Sequence, residues 1–373
     1  MGYAYTPGLK VSKAAVVRKE RKLPLTGEVL VKKGDRVKAE DVVAKTELPG
    51  NVVPINVAGL LSIAPDEIEN YMLKKEGDKV KAGEPIAESK SFFGLFKSTV
   101  TSPVDGFIES ISKITGQVII REPPVPVEIN AYIDGKIVEV FPEEGVMVET
   151  VASFIQGIFG VGGERIGILE KACDNEEEVL DGSTFSKEHK GKIVFGGSLI
   201  TYEGIKKAIE YGIIGIVVGG IDDLTLRKFL GYDIGVAITG SEKIPLTLVV
   251  TEGFGKIKMA KRTFELLSSL VGKKASINGA TQIRAGVIRP EIIVPLPEET
   301  KIEEKEKEEG ILEIGSMVRI IREPFFGKIG KVVALPPEPQ IIETESKTRV
   351  LEVEFEDGKR VVLPRANVEL MEE

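Results

Sequence analysis

The sequence lacks tryptophan and contains one cysteine and one histidine in 373 residues. Cys173 therefore cannot form a disulfide within the chain, and a zinc site built from cysteine and histidine cannot be assembled from it. A Ser-His-Asp triad would have to use His189, which lies in a charged stretch typical of an exposed loop. These absences predict a fold that needs no oxidising compartment, and we expect a cytoplasmic protein with no metal and no cofactor.

Long apolar runs and an overall basic charge are also missing. The longest apolar run, residues 213–221, contains glycines and is far shorter than the roughly 20 residues that cross a bilayer, so we expect no membrane association. The net charge of −8 argues against bulk nucleic-acid binding, which requires a cationic surface. Basic residues concentrate in residues 10–22, which either form a solvated strand pair or contact a local anionic partner.

The length predicts several domains, and residues 1–150 have the alternating apolar pattern and glycine turns of β structure. Two passages repeat each other, one around Gly34-Asp35 and the other around Gly77-Asp78. A looser third copy follows at residues 133–149. We interpret these passages as tandem β half-modules.

The passage around Gly77, together with Ser102-Pro103-Val104-Asp105-Gly106, resembles the lipoyl/biotinyl barrel-sandwich family over about residues 20–150. In members that carry a prosthetic group, the resemblance implies an attachment lysine at the tip of a tight hairpin. Lys97 lies close to the corresponding position, but neither an Asp-Lys-Ala nor a Met-Lys-Met tip is present, and residues 46–50 contain no lysine. We therefore expect a scaffold without a prosthetic group.

The hairpin tip carries four large apolar side chains around Gly94, and each of them gains about 2 kcal/mol from burial. The four residues are Phe92, Phe93, Leu95 and Phe96. One interpretation is that they fill a neighbouring domain or a second copy of the chain. The other is that they bind a partner protein.

Residues 164–292 alternate apolar runs with helical stretches, which predicts an α/β domain with a mostly parallel sheet. Open sheets of this kind bind ligands at the carboxyl ends of their strands. The candidate ligand-binding residues at those ends are Gly219, Gly220, Asp222, Thr251, Glu252, Gly253 and Phe254. The same glycines also fit tight turns, and carboxylates beside helix starts are expected from the helix dipole alone.

Residues 293–310 read as a charged linker, because residues 295–310 contain seven glutamates and three lysines with almost nothing apolar to bury. Residues 311–373 return to a β pattern. In that segment Leu351, Val353 and Phe355 alternate with glutamates, and Asp357-Gly358 provides a hairpin turn.

The segments from Gly315 to Ile320 and from Phe325 to Val333 resemble the KOW motif, found in the SH3-like barrels of NusG-type transcription factors and several ribosomal proteins. The resemblance implies binding to RNA, to a ribosomal protein or to a polymerase. Residues 311–373 contain nine basic and twelve acidic residues, which favours a protein partner over direct nucleic-acid contact.

The sequence thus predicts a multidomain α+β protein with amino-terminal barrel-sandwich modules, a middle α/β domain and an SH3-like barrel. Our first functional hypothesis is a non-enzymatic adaptor associated with the transcription or translation machinery. The second is a sensor that binds a small molecule in the α/β domain. The third is an enzyme that uses the loop 251–255, although no base and nucleophile can be paired.

Overall fold

The computed structural model describes residues 9–90, 97–232, 239–282, 288–302, 312–322, 324–341 and 347–371. These residues form a mostly β structure with several sheets and a few short helices. The β-rich character expected from the sequence is therefore present. No helix in these ranges has the length and apolar composition that crossing a membrane requires.

Strands supply most of the regular structure. The first group is β1 (Val11–Lys22), β2 (Glu28–Val29), β3 (Arg36–Val37), β4 (Val42–Leu48), β5 (Val52–Asn56), β6 (Lys79–Val80), β7 (Pro85–Lys90), β8 (Lys97–Thr101), β9 (Gly106–Ile111), β10 (Gln117–Arg121), β11 (Val125–Asn130), β12 (Gly135–Phe141) and β13 (Gly145–Gln156). The middle group is β14 (Phe159–Val161), β15 (Glu164–Lys171), β16 (Val179–Leu180), β17 (Lys192–Phe195), β18 (Leu199–Ile200), β19 (Gly215–Ile221), β20 (Thr247–Phe254), β21 (Lys274–Asn278) and β22 (Glu291–Pro295). The last group is β23 (Met317–Ile320), β24 (Ile329–Ala334), β25 (Gln340–Ile341), β26 (Lys347–Thr348), β27 (Val350–Phe355), β28 (Arg360–Pro364) and β29 (Val368–Leu370).

The helices are short and lie mainly in the middle of the chain. They are α1 (Val57–Leu61), α2 (Tyr202–Glu210), α3 (Asp223–Leu230) and α4 (Lys261–Ser269), with 3-10 helices at Pro65–Asn70, Lys187–His189 and Arg365–Asn367. Helix α2 begins where the Thr201 side chain accepts a hydrogen bond from the Gly204 amide, and it buries Ile205 and Ala208 on one face.

The first half of the chain contains two modules with separate apolar cores. The first module consists of β2, β3, β4, β11, β12 and the start of β13, and the second module, residues 52–121, is inserted between β4 and β11. Because β4 and β11 are antiparallel neighbours, the insertion begins and ends at one place. The second module is thus an insertion at the tip of a hairpin of the first.

The two Gly-Asp turns hold the same positions in their modules. In the first module the Lys32 amide donates a hydrogen bond to the Asp35 carboxylate at 2.8 Å, and the Gly34 amide donates to the Ile137 carbonyl at 2.7 Å. The Asp35 carboxylate therefore fixes its own turn, while Gly34 ties that turn to β12.

The second module repeats both hydrogen bonds. The Lys75 amide donates to the Asp78 carboxylate at 2.7 Å, and the Gly77 amide donates to the Ile108 carbonyl at 2.7 Å. Ile137 and Ile108 lie on β12 and β9, so the third sequence copy belongs to the first module as its closing half. The two modules are thus built on one hydrogen-bonding plan.

One large sheet joins the first module to the middle of the chain, in the order β14-β20-β19-β17-β15-β21-β22-β13-β12-β3. Strand β13 pairs with β12 near its start and with β22 near its end, while β1 runs along its other side. The sheet therefore continues across residue 150, where the sequence suggests a boundary. Strand β22 includes residues 293–295, and residues 303–310 of the expected linker lie outside the described residues.

Within this sheet β15, β17, β19 and β20 are parallel neighbours in chain order, with β14 and β21 antiparallel at their two sides. Every residue of β19 is buried, as its continuous apolar sequence requires. Helices α2 and α3 connect successive parallel strands, so the carboxyl ends of these strands lie along one edge.

The last group of strands forms a five-stranded antiparallel sheet in the order β28-β27-β24-β23-β29 around its own apolar core. Strand β27 buries Leu351, Val353 and Phe355. The turn that follows it uses Gly358 at φ +78°, in the left-handed region that favours glycine. We call the described residues between 312 and 371 the terminal barrel, after the SH3-like barrel that the sequence predicts for this segment.

Candidate functional site

The predicted ligand-binding glycines of β19 are covered by the chain itself. A Cβ atom on Gly219 would lie 2.2 Å from the Ile257 carbonyl oxygen, and one on Gly220 would lie 2.0 Å from that of Gly255. Both positions require glycine because another segment of backbone crosses them closely. In this structure the space above them is filled by residues 255–259.

Two backbone hydrogen bonds hold this covering segment at the carboxyl edge of the sheet. The Gly255 amide donates to the Ile221 carbonyl and the Ile257 amide donates to the Ser198 carbonyl, each at 2.9 Å. Ile221 ends β19, and Ser198 follows β17 closely. The segment thus covers the carboxyl ends of β17 and β19, the position at which open parallel sheets commonly bind ligands.

The other candidates at this edge lie in different surroundings. Asp222 is exposed, and its side chain makes no capping hydrogen bond to α3. Thr251 is buried, and its hydroxyl donates to the Val218 carbonyl at 3.3 Å. The remaining candidates, Glu252, Gly253 and Phe254, contact the terminal barrel.

Glu252 is a buried carboxylate with partners for both oxygens. Its Oε1 accepts a hydrogen bond from the Ala260 amide at 3.0 Å, and its Oε2 accepts one from Arg319 Nη2 at 2.7 Å. The two side chains are only 8% and 4% exposed. Since Ala260 immediately precedes α4 and Arg319 lies in β23, this carboxylate joins the middle of the chain to the terminal barrel.

Arg319 continues a chain of alternating charges. Its Nη1 donates to Glu369 Oε1 at 2.8 Å, and Arg289 Nη2 lies 3.0 Å from Glu369 Oε2 without hydrogen-bond geometry. Glu369 is almost fully buried. Two acids and two arginines balance within the cluster, which is how buried charges are tolerated, since a single uncompensated charge would be very costly.

The same contact brings two backbones close together. A Cβ on Gly253 would lie 2.8 Å from the Gly327 carbonyl oxygen, and a Cβ on Gly327 would lie 2.7 Å from the Phe254 ring. Phe254 also stacks at a tilt on Phe159, with ring centroids 5.2 Å apart. Residues 252–254 are therefore contact residues between two parts of the protein.

Sequence reasoning did not identify Arg289, Arg319 or Glu369 as members of this cluster. Arg319 stands between the apolar residues Val318 and Ile320, and Glu369 stands between Val368 and Leu370. Lone charges in short apolar strands are one available signal, because a charge at such a position requires a partner if it is buried. The partner itself cannot be identified from chain spacing.

The basic stretch of residues 10–22 is largely neutralised within the protein. Most of its cations lie in β1, which pairs with β13. The ion pairs are Arg18 with Glu149, Lys19 with Glu291, Arg21 with Glu164, and Lys22 with Glu20 and Glu144. This arrangement agrees with the interpretation as a strand in a sheet, and it leaves little excess positive charge for an anionic partner.

The predicted partner-binding tip, Phe92, Phe93, Leu95 and Phe96, lies outside the described residues. Strands β7 and β8 lead to it, and Lys97 is paired with Lys90 at the tip end of this hairpin. The side chain of Lys97 lies outside the described part of the chain.

The single histidine and the single cysteine both have local partners. His189 Nδ1 accepts a hydrogen bond from the Ser186 amide, and burial lowers the pKa of its imidazole. Burial, assisted by the charge of Glu178, raises the pKa of the Cys173 thiol to about 11. Among the described residues no group of three His, Cys, Asp or Glu side chains has an arrangement suited to a metal ion.

No protein-family model matches this chain, and no curated protein is significantly similar to it.

Proposed function

We propose that this protein is a non-enzymatic binding or adaptor protein whose terminal barrel is held against the middle of the chain as a recognition module. The buried Glu252–Arg319 pair is the observation that carries this proposal. A buried carboxylate with partners on both oxygens holds an interface in one arrangement, because separating the pair would leave an uncompensated buried charge. It is poorly placed to exchange protons with a substrate.

The filled crevice supports the same proposal over the sensor hypothesis. Residues 255–259 lie across Gly219 and Gly220, where a small ligand would otherwise bind. Sensor or enzyme chemistry at this edge would first require that segment to move. An adaptor needs no such movement, because its partners bind to exposed surfaces.

In this proposal the two matched modules are barrel-sandwich scaffolds without a prosthetic group, the middle is an α/β domain, and the terminal barrel is a KOW-type SH3-like barrel. The matched Gly-Asp turns and the parallel strands β15, β17, β19 and β20 support these assignments. The KOW resemblance suggests a partner in the transcription or translation machinery, and the one cysteine is compatible with the cytoplasm.

A protein partner fits the charge better than a nucleic acid does. The whole chain has a net charge of −8, and most of its basic amino-terminal stretch is paired with glutamates. Phosphate binding would require an excess of positive charge on one surface.

Affinity purification of the tagged full-length chain from its native host tests the proposal, with the tag alone as control. We expect ribosomal or polymerase components to be enriched at physiological salt. Enrichment of none of them over the control would overturn the assignment to this machinery.

A further inference from the structure

A groove of about 910 Å³ runs between the middle of the chain and the terminal barrel. Residues 254–257 form one wall, and residues of β23, β24 and β27 with the turn after β27 form the other. We call it the seam groove. Phe254 and Met317, which line it, are each two residues along the chain from the buried Glu252–Arg319 pair, so that pair anchors both walls.

The seam groove combines apolar and charged groups. Phe254 and Ile257 line it from the middle of the chain, while Ile329 and Phe355 line it from the barrel. Met317 also lines it and is 40% exposed. An apolar side chain from another molecule would therefore find apolar contacts on both walls.

A row of side chains crosses the barrel wall. Met317 is opposite Lys331 in the β23–β24 pair, and Lys331 is opposite Glu354 in the β24–β27 pair. Directly opposed residues of neighbouring strands project from the same face of a sheet. The row thus presents an apolar group, a cation and an anion side by side.

Several charges in the groove have no ion-pair partner among the residues that the structure describes. They are Lys256, Lys331 and Glu356. Many charged groups elsewhere, such as Arg18 and Lys274, are paired. A groove with both positive and negative side chains around apolar residues is suited to a peptide that carries both signs of charge, because each peptide charge can lie next to an opposite charge of the groove.

The acidic side chains decide between two kinds of partner. Glu354, Glu356 and Asp357 line the same groove as the lysines and would repel the phosphates of a nucleic acid. A peptide carries both signs of charge and an apolar residue within a short length. The mixture of charges therefore favours a peptide.

We propose that the seam groove binds an extended peptide segment of a partner protein. An apolar side chain lies against Phe254 and Ile257, acidic residues of the peptide meet Lys256 and Lys331, and a basic residue meets Glu356. This proposal rests on the adaptor function proposed above and gives that function a binding surface.

The test uses a phage-displayed library of random dodecapeptides selected on the immobilised full-length chain. Enriched peptides are synthesised, and their binding is measured by fluorescence anisotropy. We expect an apolar residue with acidic neighbours to recur among them. Lys331→Glu and Lys256→Glu should each weaken binding about tenfold or more, since an attraction becomes a repulsion. Lys79→Glu, an exposed change in the second module, serves as the matched control and should leave binding within about twofold.

The two lysine substitutions lie on different walls of the groove, so the test does not depend on one variant being folded. Circular dichroism checks that each variant is folded. Failure to enrich any peptide, or equal binding by the wild type and both folded variants, would overturn the groove proposal. So would Lys331-dependent binding of a labelled oligouridine in place of peptides. If native-host purification still recovers machinery components in any of these cases, the adaptor function stands and only the groove assignment fails.

Discussion

Glu252 and Arg319 are 67 positions apart in the chain, yet their side chains meet at 2.7 Å in an almost completely buried contact. Each side chain neutralises the charge of the other, and neither charge would be tolerated alone in so buried a position. The pair joins β20 to β23, so the end of the parallel sheet and the terminal barrel share one buried cluster. We expect the two parts to be coupled in their stability.

Removal of Arg319 should strongly destabilise this contact. Arg319→Ala leaves Glu252 and Glu369 buried without the cation that they share. We expect the free energy of unfolding to fall by about 3–5 kcal/mol. Urea unfolding of the full-length chain measures it. Arg360→Ala breaks the more exposed pair with Glu354 and should cost less than about 1 kcal/mol. Equal losses in the two variants would contradict the assigned role of the cluster.

Gly327 should tolerate alanine less well than Gly358 does. Both have φ +78°, so both variants have the same backbone strain, of about 1–2 kcal/mol. Only at Gly327 would the new Cβ meet a neighbour, the Phe254 ring, whereas Gly358 has open space. Thermal unfolding should show a larger decrease in melting temperature for Gly327→Ala than for Gly358→Ala. Hydrogen exchange in β20 should also be faster in Gly327→Ala. Indistinguishable melting curves would argue against close packing at this contact.

The two Gly-Asp turns should respond separately to the same substitution. Asp35→Ala and Asp78→Ala each remove a carboxylate that accepts a backbone amide, and we expect about 1 kcal/mol of local destabilisation from each. Hydrogen exchange should rise within the first module for Asp35→Ala and within the second for Asp78→Ala, because the cores are separate. Asp66→Ala, an exposed change, is the control. A rise spread over both modules would show that they fold as one unit.

The second module should be removable. Leu48 and Val125 are opposite each other in the β4–β11 pair, and the core of the first module contains no residue from 49–124. Replacement of residues 49–124 by Asn-Gly, a favoured two-residue hairpin turn, should leave a folded protein. Cooperative unfolding and retained near-ultraviolet circular dichroism are the expected results. An aggregated or molten product would show that the second module supports the first.

Cys173 should react slowly with alkylating agents in the folded protein. Its pKa of about 11, against an ordinary value near 9, keeps the thiol protonated and lowers the thiolate fraction roughly a hundredfold at pH 8. Iodoacetamide labelling followed by intact mass should be at least that much faster in urea. Because pH 10 is still below the folded pKa, the native rate should rise steeply between pH 8 and pH 10. A flat rate over this interval would contradict the raised pKa.

Local patterns in the sequence were enough to indicate much of the secondary structure. The continuous apolar run of β19 and the alternation in β27 each correspond to a strand. Helix α2 begins after Thr201, a residue type that commonly caps helices. The repeated Gly-Asp turns also correspond to equivalent hydrogen bonds in the two modules. These features depend on neighbours within a few positions, which is why the sequence alone reveals them.

The role of the candidate site residues could not be predicted from the sequence, because it depends on contacts with residues distant in the chain. The sequence placed Gly219, Gly220 and Glu252 at the edge of a sheet, but only the tertiary structure covered the glycines with residues 255–259 and paired Glu252 with Arg319. Spacing along a chain does not specify which buried charge meets which. That choice is made when the terminal barrel packs on the sheet and each buried charge must find its partner.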